Sequence, residues 1–508
     1  MRLAERYVEL APDRQPYLDR ARACAALTVQ AVCPPEGQSA SNILPQTYQS
    51  FGARATVNLA AKLLMALLPP GASSFNLKVP AKVLLKQQTM EPPPDVTLGL
   101  AKCEKLVNEK IETLQWRRPT YTTLLHLIVA GNMAEYITPT GHLKQYMLEQ
   151  YVAVRNWDGK AIEVVTAEKM KVRALPTDLR DKTDKKEDAD CTLYTRFELI
   201  DENTYSVQQD LDNVEVTPLQ TFNGLMPCNA LAWELVPGEN YGRSHCEANY
   251  ADLMALDATT QQLREAGALA SRNLIFVRPN AAGGNLRKRI AEARNGAVLS
   301  GNGGPNGDIQ PFQFNNGSAM QTMQSQIQDI QRGLAQAFLL TGDLRRDAER
   351  VTAYELQMLA SEIEQGLGGV YSLLAVELQA WRLRKLIAQM QTREELPKIG
   401  KDSVSIEVTT GLEALGKDAQ VNKARTLFGL FNEVPQAFQE QVAQRIDFNK
   451  ILTPTVAAVG FPGAVKDDAT VAAEQAQQQQ AQMASDAVKG AAGPIAGAMA
   501  QNQLQPPQ

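Results

Sequence analysis

The constraint that bears hardest on this chain is a change of apolar period at about Lys144. Before it, the pattern is helical. YQSFGARATVNLAAKLLMALL, from Tyr48 to Leu68, stops at Pro69-Pro70, where the missing N–H and the proline ring end a helix. Leu100 to Leu114 and Thr122 to Ala134 repeat the helical spacing, with Gly131-Asn132 as an interior weak point. From Lys144, YMLEQYVAVRNWDGKAIEVVTAE alternates apolar and polar residues about Asp158-Gly159, the strongest short-range hairpin signal. A charged stretch, TDLRDKTDKKEDAD (177–190), separates that hairpin from two more strand candidates, CTLYTRFELI and NTYSVQQDL. The expected fold class is therefore α+β, predominantly helical, with a β-rich module over 144–236.

The helical period then returns. Ser244 and Glu247 form an S-x-x-E capping box at the head of a long helix to Ser271. NLIFVRPNAAGG reads as a short strand ending in a turn, and SGNGGPNGDIQPFQF leads into a second helix, Ala319 to Leu340. The chain goes out along one helix, makes a small glycine-rich module and comes back along another. Thr352 and Glu355 form a second capping box, opening a helix expected to run to about Gln391. Gly366, Gly368 and Gly369 are expected to bend it, each weakening a helix interior by about 1 kcal/mol relative to alanine. VSIEV, from Val404, reads as a strand followed by short helices to about Gly460. Past Val465 the composition falls to Ala, Gln and Gly, too poor in apolar mass for a core.

Charge and reactive residues exclude more than they assign. Lys and Arg number 51 against 56 Asp and Glu, a net charge of −5, so the chain is not built to coat nucleic acid. The six cysteines are scattered without a CxxC, which favours free thiols in a reducing compartment. The N-terminus is charged from Arg2, so no secretory signal is expected. The most apolar run, Ala55 to Pro70, carries Lys62 and falls short of the roughly 20 residues that span a bilayer, so no membrane is expected. The three histidines (His126, His142, His245) sit in no ligand or triad spacing, and SGNGGPNGD lacks the Gly-Lys-Ser/Thr of a phosphate loop. No catalytic residue, metal or cofactor is assigned, and the expectation is that the chain is not an enzyme.

Two charge clusters remain. GDLRRDAERVTAYELQ (342–357) sets Arg345, Arg346 and Arg350 against Asp343, Asp347, Glu349 and Glu355, leaving −1 overall and no net charge before the helix begins. A neutral loop between helices is a poor clamp for nucleic acid, and a salt-bridged helix connection or a solvated loop stays open beside a nucleic-acid contact. Between residues 272 and 318, Arg272, Arg278, Arg287, Lys288, Arg289 and Arg294 outweigh Glu292 and Asp308 by +4.

Several strings in one order carry a family resemblance: FGARATVNLAAKLLMALLPP (51–70), LIVAGN (127–132), YGRS (241–244), AERVTAYELQMLASEIEQGLGGVYSLLAVELQ (348–379) and TTGLEALGK (409–417). The chain resembles the portal, or head-to-tail connector, proteins of short-tailed, podovirus-type (autographivirus) bacteriophages. The resemblance implies a homo-oligomeric ring of usually twelve subunits at one capsid vertex, the channel for double-stranded DNA during packaging and ejection. It implies a wing (1–240), a stem helix (241–271), a clip (272–318), a second stem helix (319–340) and a tunnel loop (341–351). A long wing helix (352–404), a crown (405–465) and an Ala/Gln-rich mobile tail (466–508) would follow. Arg345, Arg346 and Arg350 would then be DNA-facing tunnel-loop residues, and Arg287, Lys288, Arg289 and Arg294 a basic clip patch. Implied partners are the terminase large subunit, the tail adaptor or tail tube protein, the major capsid and scaffolding proteins, and internal core proteins. The implied location is the virion's portal vertex, with the host cytoplasm during assembly. Two other classes stay open: an internal scaffold or head-tail adaptor without a DNA channel, and a DNA-modifying enzyme with an unfamiliar site.

Overall fold

The computed structural model describes residues 2–37, 47–70, 74–79, 94–183, 185–212, 214–270, 274–277, 288, 292, 309–312, 317–340, 353–396, 407–410 and 426. About half of them are helical and the sheets are antiparallel, so the described fold is mixed α+β rather than predominantly helical. The chain divides into two compact units, one of residues 1–74 with 111–389 and the other of 75–110 with 390–508.

The first unit begins with α1 (Leu3–Leu27) and α2 (Phe51–Leu67). α1 lies along the sheet region because its polar groups are met there. Leu3 N donates to Asp210 (2.8 Å), and Arg14 Nη1 donates to Tyr7 Oη (2.7 Å) and to the carbonyls of Glu149 and Tyr151 (both 2.9 Å). Beyond α3 (Pro94–Thr113, in the second unit except for its last turn) comes α4 (Arg117–Ala130), whose apolar face is buried from Leu124 to Ala130. α4 does not continue to residue 134. Gly131 adopts the left-handed conformation (φ 75°, ψ −10°) as its C-cap and donates to Leu127 O, and Asn132 already begins a strand. The expected weak point is thus a boundary.

That strand, β2 (Asn132–Ile137), pairs with β3 (Leu143–Tyr146) on one side and with β9 (Cys228–Ala232) on the other. The β region therefore starts twelve residues earlier than the alternation suggests, because β2 is buried on both faces and does not alternate. A five-stranded meander follows: β4 (Tyr151–Arg155), β5 (Ala161–Lys171), β6 (Asp190–Asp201), β7 (Thr204–Leu211) and β8 (Val214–Asn223). The hairpin at Asp158-Gly159 is as expected, with Gly159 at φ 77° and Asn156 Oδ1 accepting from Asp158 N (3.1 Å) and Lys160 N (2.8 Å). Inside the charged 177–190 stretch lies one short helix, α5 (Thr177–Arg180).

After a four-residue helix, α6 (His245–Ala248), the long helices α7 (Tyr250–Ala270) and α8 (Gly317–Ala337) form an antiparallel pair. Between them β10 (Leu274–Val277) pairs with β11 (Ile309–Phe312). The helix expected over 352–391 is broken, not bent. α9 (Ala353–Gly366) ends, Gly368 and Gly369 take φ of 60° and 93°, and α10 (Val370–Leu374) restarts the chain. Glu364 spans the break, accepting from Ser372 N (3.0 Å) and Ser372 Oγ (2.6 Å). A π turn over Ala375–Ala380 leads into α11 (Trp381–Thr392). This turn buries Gln379, whose amide donates to Leu67 O (2.9 Å) and to Ser74 Oγ (2.8 Å). One turn on, buried Arg382 forks onto buried Glu135 and donates to Thr120 Oγ1 (2.7 Å).

In the second unit, β1 (Phe75–Lys78) pairs antiparallel with β12 (Glu407–Thr410), Phe75 opposite Thr410. Glu104 of α3 accepts from Leu77 N at 2.7 Å, and Lys110 lies 3.0 Å from Glu395. The strand expected from Val404 is described only over 407–410 and the expected short helices to Gly460 only at Thr426, while Thr352 of the expected cap and the tail past Val465 lie outside the described residues.

Candidate functional site

The site is a junction and the helix pair it holds. Gly131 and Gly242 sit where two backbones touch. A Cβ on Gly131 would lie 2.8 Å from Arg243 C and from Ser244 N, and one on Gly242 would lie 2.7 Å from Ala232 Cβ. Asn132 joins the two segments with its side-chain amide, donating to Gly242 O (2.8 Å) and accepting from Gly242 N (2.7 Å). Trp233 N donates to Gly131 O and Arg243 N to Glu234 O. Asn132 and Gly242 are thus matched as if by a strand pairing, with the Asn132 side-chain amide standing in for main chain.

From this junction the helices start. Ser244 Oγ accepts from Glu247 N at 2.9 Å, the expected first half of the capping box. The reciprocal half is replaced: the Glu247 carboxylate pairs with Arg243 (2.9 Å) and Arg20 (3.1 Å) instead. Arg243 also reaches Glu239 at 2.7 Å, so one guanidinium is shared between two carboxylates. His245 Nε2 lies 2.9 Å from Ala337 O, and its ring packs edge-on to Phe338 at 4.7 Å. A carbonyl only accepts, so Nε2 carries the proton. Burial holds this imidazole below its usual pKa, and it acts as a neutral strut from the start of α6 to the end of α8.

The far end of the strut is fixed as well. Leu339 takes a positive φ (51°), Leu340 N donates to Ala335 O (2.7 Å), and Leu339 O accepts from Asn58 of α2 (3.3 Å). The Leu339 side chain fills the space a Cβ would need at Gly366, 2.6 Å away. Asp257 on α7 accepts from Tyr48 N (2.8 Å) and Gln49 N (3.2 Å), tying α7 to the approach of α2.

Away from this base the pair stands largely free. α7 buries only Leu253 and Leu256, and α8 only Leu334. Met320, Met323, Ile327, Ile330 and Leu334 make a single seam at three- and four-residue spacing, all but Leu334 half-buried. Gly267 of α7 faces that seam at Met320.

Of the sequence-assigned residues, Lys288 alone is described; its Nζ is 3.9 Å from Glu292 and both side chains are exposed, a pair that contributes little. Arg345, Arg346, Arg350, Arg287, Arg289 and Arg294 lie outside the described residues. Asn132, Gly242, Arg243 and His245 were not assigned from sequence, although LIVAGN and YGRS, the strings that hold the first three, were singled out. Among the described residues no group of His, Cys, Asp or Glu side chains could hold a metal ion, and no helix is long and apolar enough to cross a membrane. The six cysteines are free and buried, and burial raises their thiol pKa values, to about 11 for Cys24 and Cys33.

Over residues 1–465 the sequence matches the family described as bacteriophage head to tail connecting protein. The chain belongs to that family. The connector is 32% identical to the portal protein of Escherichia phage T7 over 435 residues, 82% of this chain and 79% of that one. It is 27% identical to the portal protein of Enterobacteria phage SP6 over 507 residues, 97% of this chain and 95% of that one. Among solved structures, the neck of an empty GTA particle aligns with 74% of this chain and 86% of its own at 12% identity, with a TM-score of 0.39. The resemblance drawn from the quoted strings therefore holds, and two of those strings meet in space at the Gly131–Gly242 junction of this connector.

Proposed function

We propose that copies of this connector close into a portal ring at one capsid vertex, with the α7–α8 pair around a channel for double-stranded DNA. The observation that supports this most is the pair itself: two 21-residue helices, each about 32 Å long, rigidly rooted at one end and in contact along one seam. A two-helix seam with so little burial is marginal alone, and further copies alongside supply the missing neighbours. In this reading residues 272–318 form the clip, whose basic residues Arg287, Lys288, Arg289 and Arg294 dock the terminase motor and later the tail. Residues 341–351 form the tunnel loop between the anchored end at Leu339 and α9, and carry Arg345, Arg346 and Arg350 toward the duplex. Residues 405–465 form the crown.

The role is mechanical, without turnover. A formal charge of −5 per copy gives a ring of twelve about −60, which repels a duplex from the walls rather than trapping it. Negative-stain microscopy of the purified chain tests the proposal: rings with a central hole are expected. A compact monomer at high concentration would overturn it in favour of a scaffold or adaptor, and nuclease or ATPase turnover by the pure protein would overturn the mechanical role.

A further inference from the structure

The outward surfaces of α7 and α8 differ in kind. On α8 the row opposite the apolar seam is Ser318, Gln321, Ser325, Gln328, Arg332 and Gln336, all exposed. It has no apolar side chain. Its one cation, Arg332, lies 3.1 Å from Asp329, an equally exposed carboxylate that offsets its charge. Ser325 Oγ donates to Thr322 O (2.8 Å) and Thr322 Oγ1 to Ser318 O (3.0 Å), which turns those hydroxyls back onto the helix. What remains facing outward is a ladder of glutamine amides, Gln321, Gln328 and Gln336, about 10–12 Å apart along the axis.

The outward row of α7 is Ala251, Met254, Ala258, Gln262, Glu265 and Leu269, with Met254 51% and Leu269 46% exposed. Methionine, leucine and alanine with few charges suit a surface that another protein covers. A wholly polar amide row does not, since each amide buried without a partner costs free energy.

Resting on the channel reading above, we infer that α8 is the helix that meets the duplex, through its glutamine ladder, and that the outward row of α7 packs against the next copy. The chemistry fits a sliding contact. An amide donates hydrogen bonds to phosphate oxygens without a full positive charge. It therefore releases no condensed counterions and does not gain the salt-dependent grip that a lysine row would have. The helix is long enough for about one turn of duplex to pass along it.

The test uses the full chain in assembled, DNA-filled particles. The native cysteines are all buried, so a surface cysteine can be labelled selectively with a photo-cross-linker. Gln328→Cys on α8 and Met254→Cys on α7 are compared. The expected result is DNA attachment from position 328 and subunit-to-subunit attachment from position 254. DNA attachment from 254 but not from 328 overturns the assignment while leaving the channel in place. Attachment to protein alone from both positions overturns the channel reading and this inference with it. As a second measurement, Gln321→Lys/Gln328→Lys is expected to make DNA release salt-dependent, steepest at low salt. Release as insensitive to salt as that of the unsubstituted protein overturns the inference.

Discussion

Replacing Gly131 by alanine tests whether the α4–α6 junction is fixed by backbone contact. Gly131 sits at φ 75°, and a Cβ there lies 2.8 Å from Arg243 C and from Ser244 N. Two costs follow. The left-handed conformation costs an L-residue about 1–2 kcal/mol. The clash is with main chain, which cannot swing aside as a side chain can, and overpacking of this sort costs about 1–3 kcal/mol. The expected destabilisation of Gly131→Ala is therefore about 2–5 kcal/mol. Gly238 separates the two parts: it also has a positive φ (88°), but a Cβ there meets nothing within 4 Å. Gly238→Ala should show the backbone part alone, about 1–2 kcal/mol. Urea unfolding read by tryptophan emission suits the comparison, because Trp233 donates from its backbone to Gly131 and packs beside His245. Both variants are measured at one protein concentration, since an oligomer's apparent stability depends on it. Equal losses from the two substitutions, or a Gly131→Ala loss below about 0.5 kcal/mol, would refute the contact argument.

Arg382→Met leaves Glu135 buried and unpaired and is expected to cost about 3–5 kcal/mol, whereas Arg382→Met/Glu135→Leu recovers much of that loss in the same urea assay. Ser244→Ala removes an acceptor from Glu247 N and should lower stability by about 1 kcal/mol; an unchanged midpoint removes the cap assignment. Lys385 is pushed down to about 8 by burial, so the unfolded chain holds its proton more tightly than the folded one. Stability should rise as the pH goes from about 8 toward the ordinary lysine value of 10.5, and Lys385→Met should flatten that rise. A pH profile identical in both proteins would count against the burial.

Local signals read well where local physics decides. The Asp158-Gly159 hairpin, the halt of α2 before Pro69-Pro70 and the return helix near 319 all follow from turn chemistry or period. Strand β2 did not, because a strand buried on both faces loses the alternation that marks it. Gly131 looked like a flaw within a helix, since only the approach of Arg243, more than a hundred residues later, shows why no side chain fits. The half-replaced capping box has the same cause: Glu247 is drawn off by Arg20 and Arg243, one of them on a distant helix. The π turn at 375–380 carries no sequence mark, as it answers to Gln379 reaching Leu67 and Ser74. The family strings were legible, while the reason two of them matter lies in their meeting.

The core of the first unit is woven from the two ends of a long span, and this sets an order of events at synthesis. Leu3 is met by Asp210, Ala66 by Tyr371 and Glu135 by Arg382. The early helix α2 and strand β2 do not find their last polar partners until the ribosome has passed residue 382. At about 5–20 residues per second, roughly 12–50 s pass between the synthesis of Glu135 and that of Arg382, its partner. Contacts so distant in sequence also close slowly. A chain cut short before residue 371 therefore never completes this core. On the ring reading proposed above, such incomplete copies would lack the finished first unit that a neighbouring copy packs against.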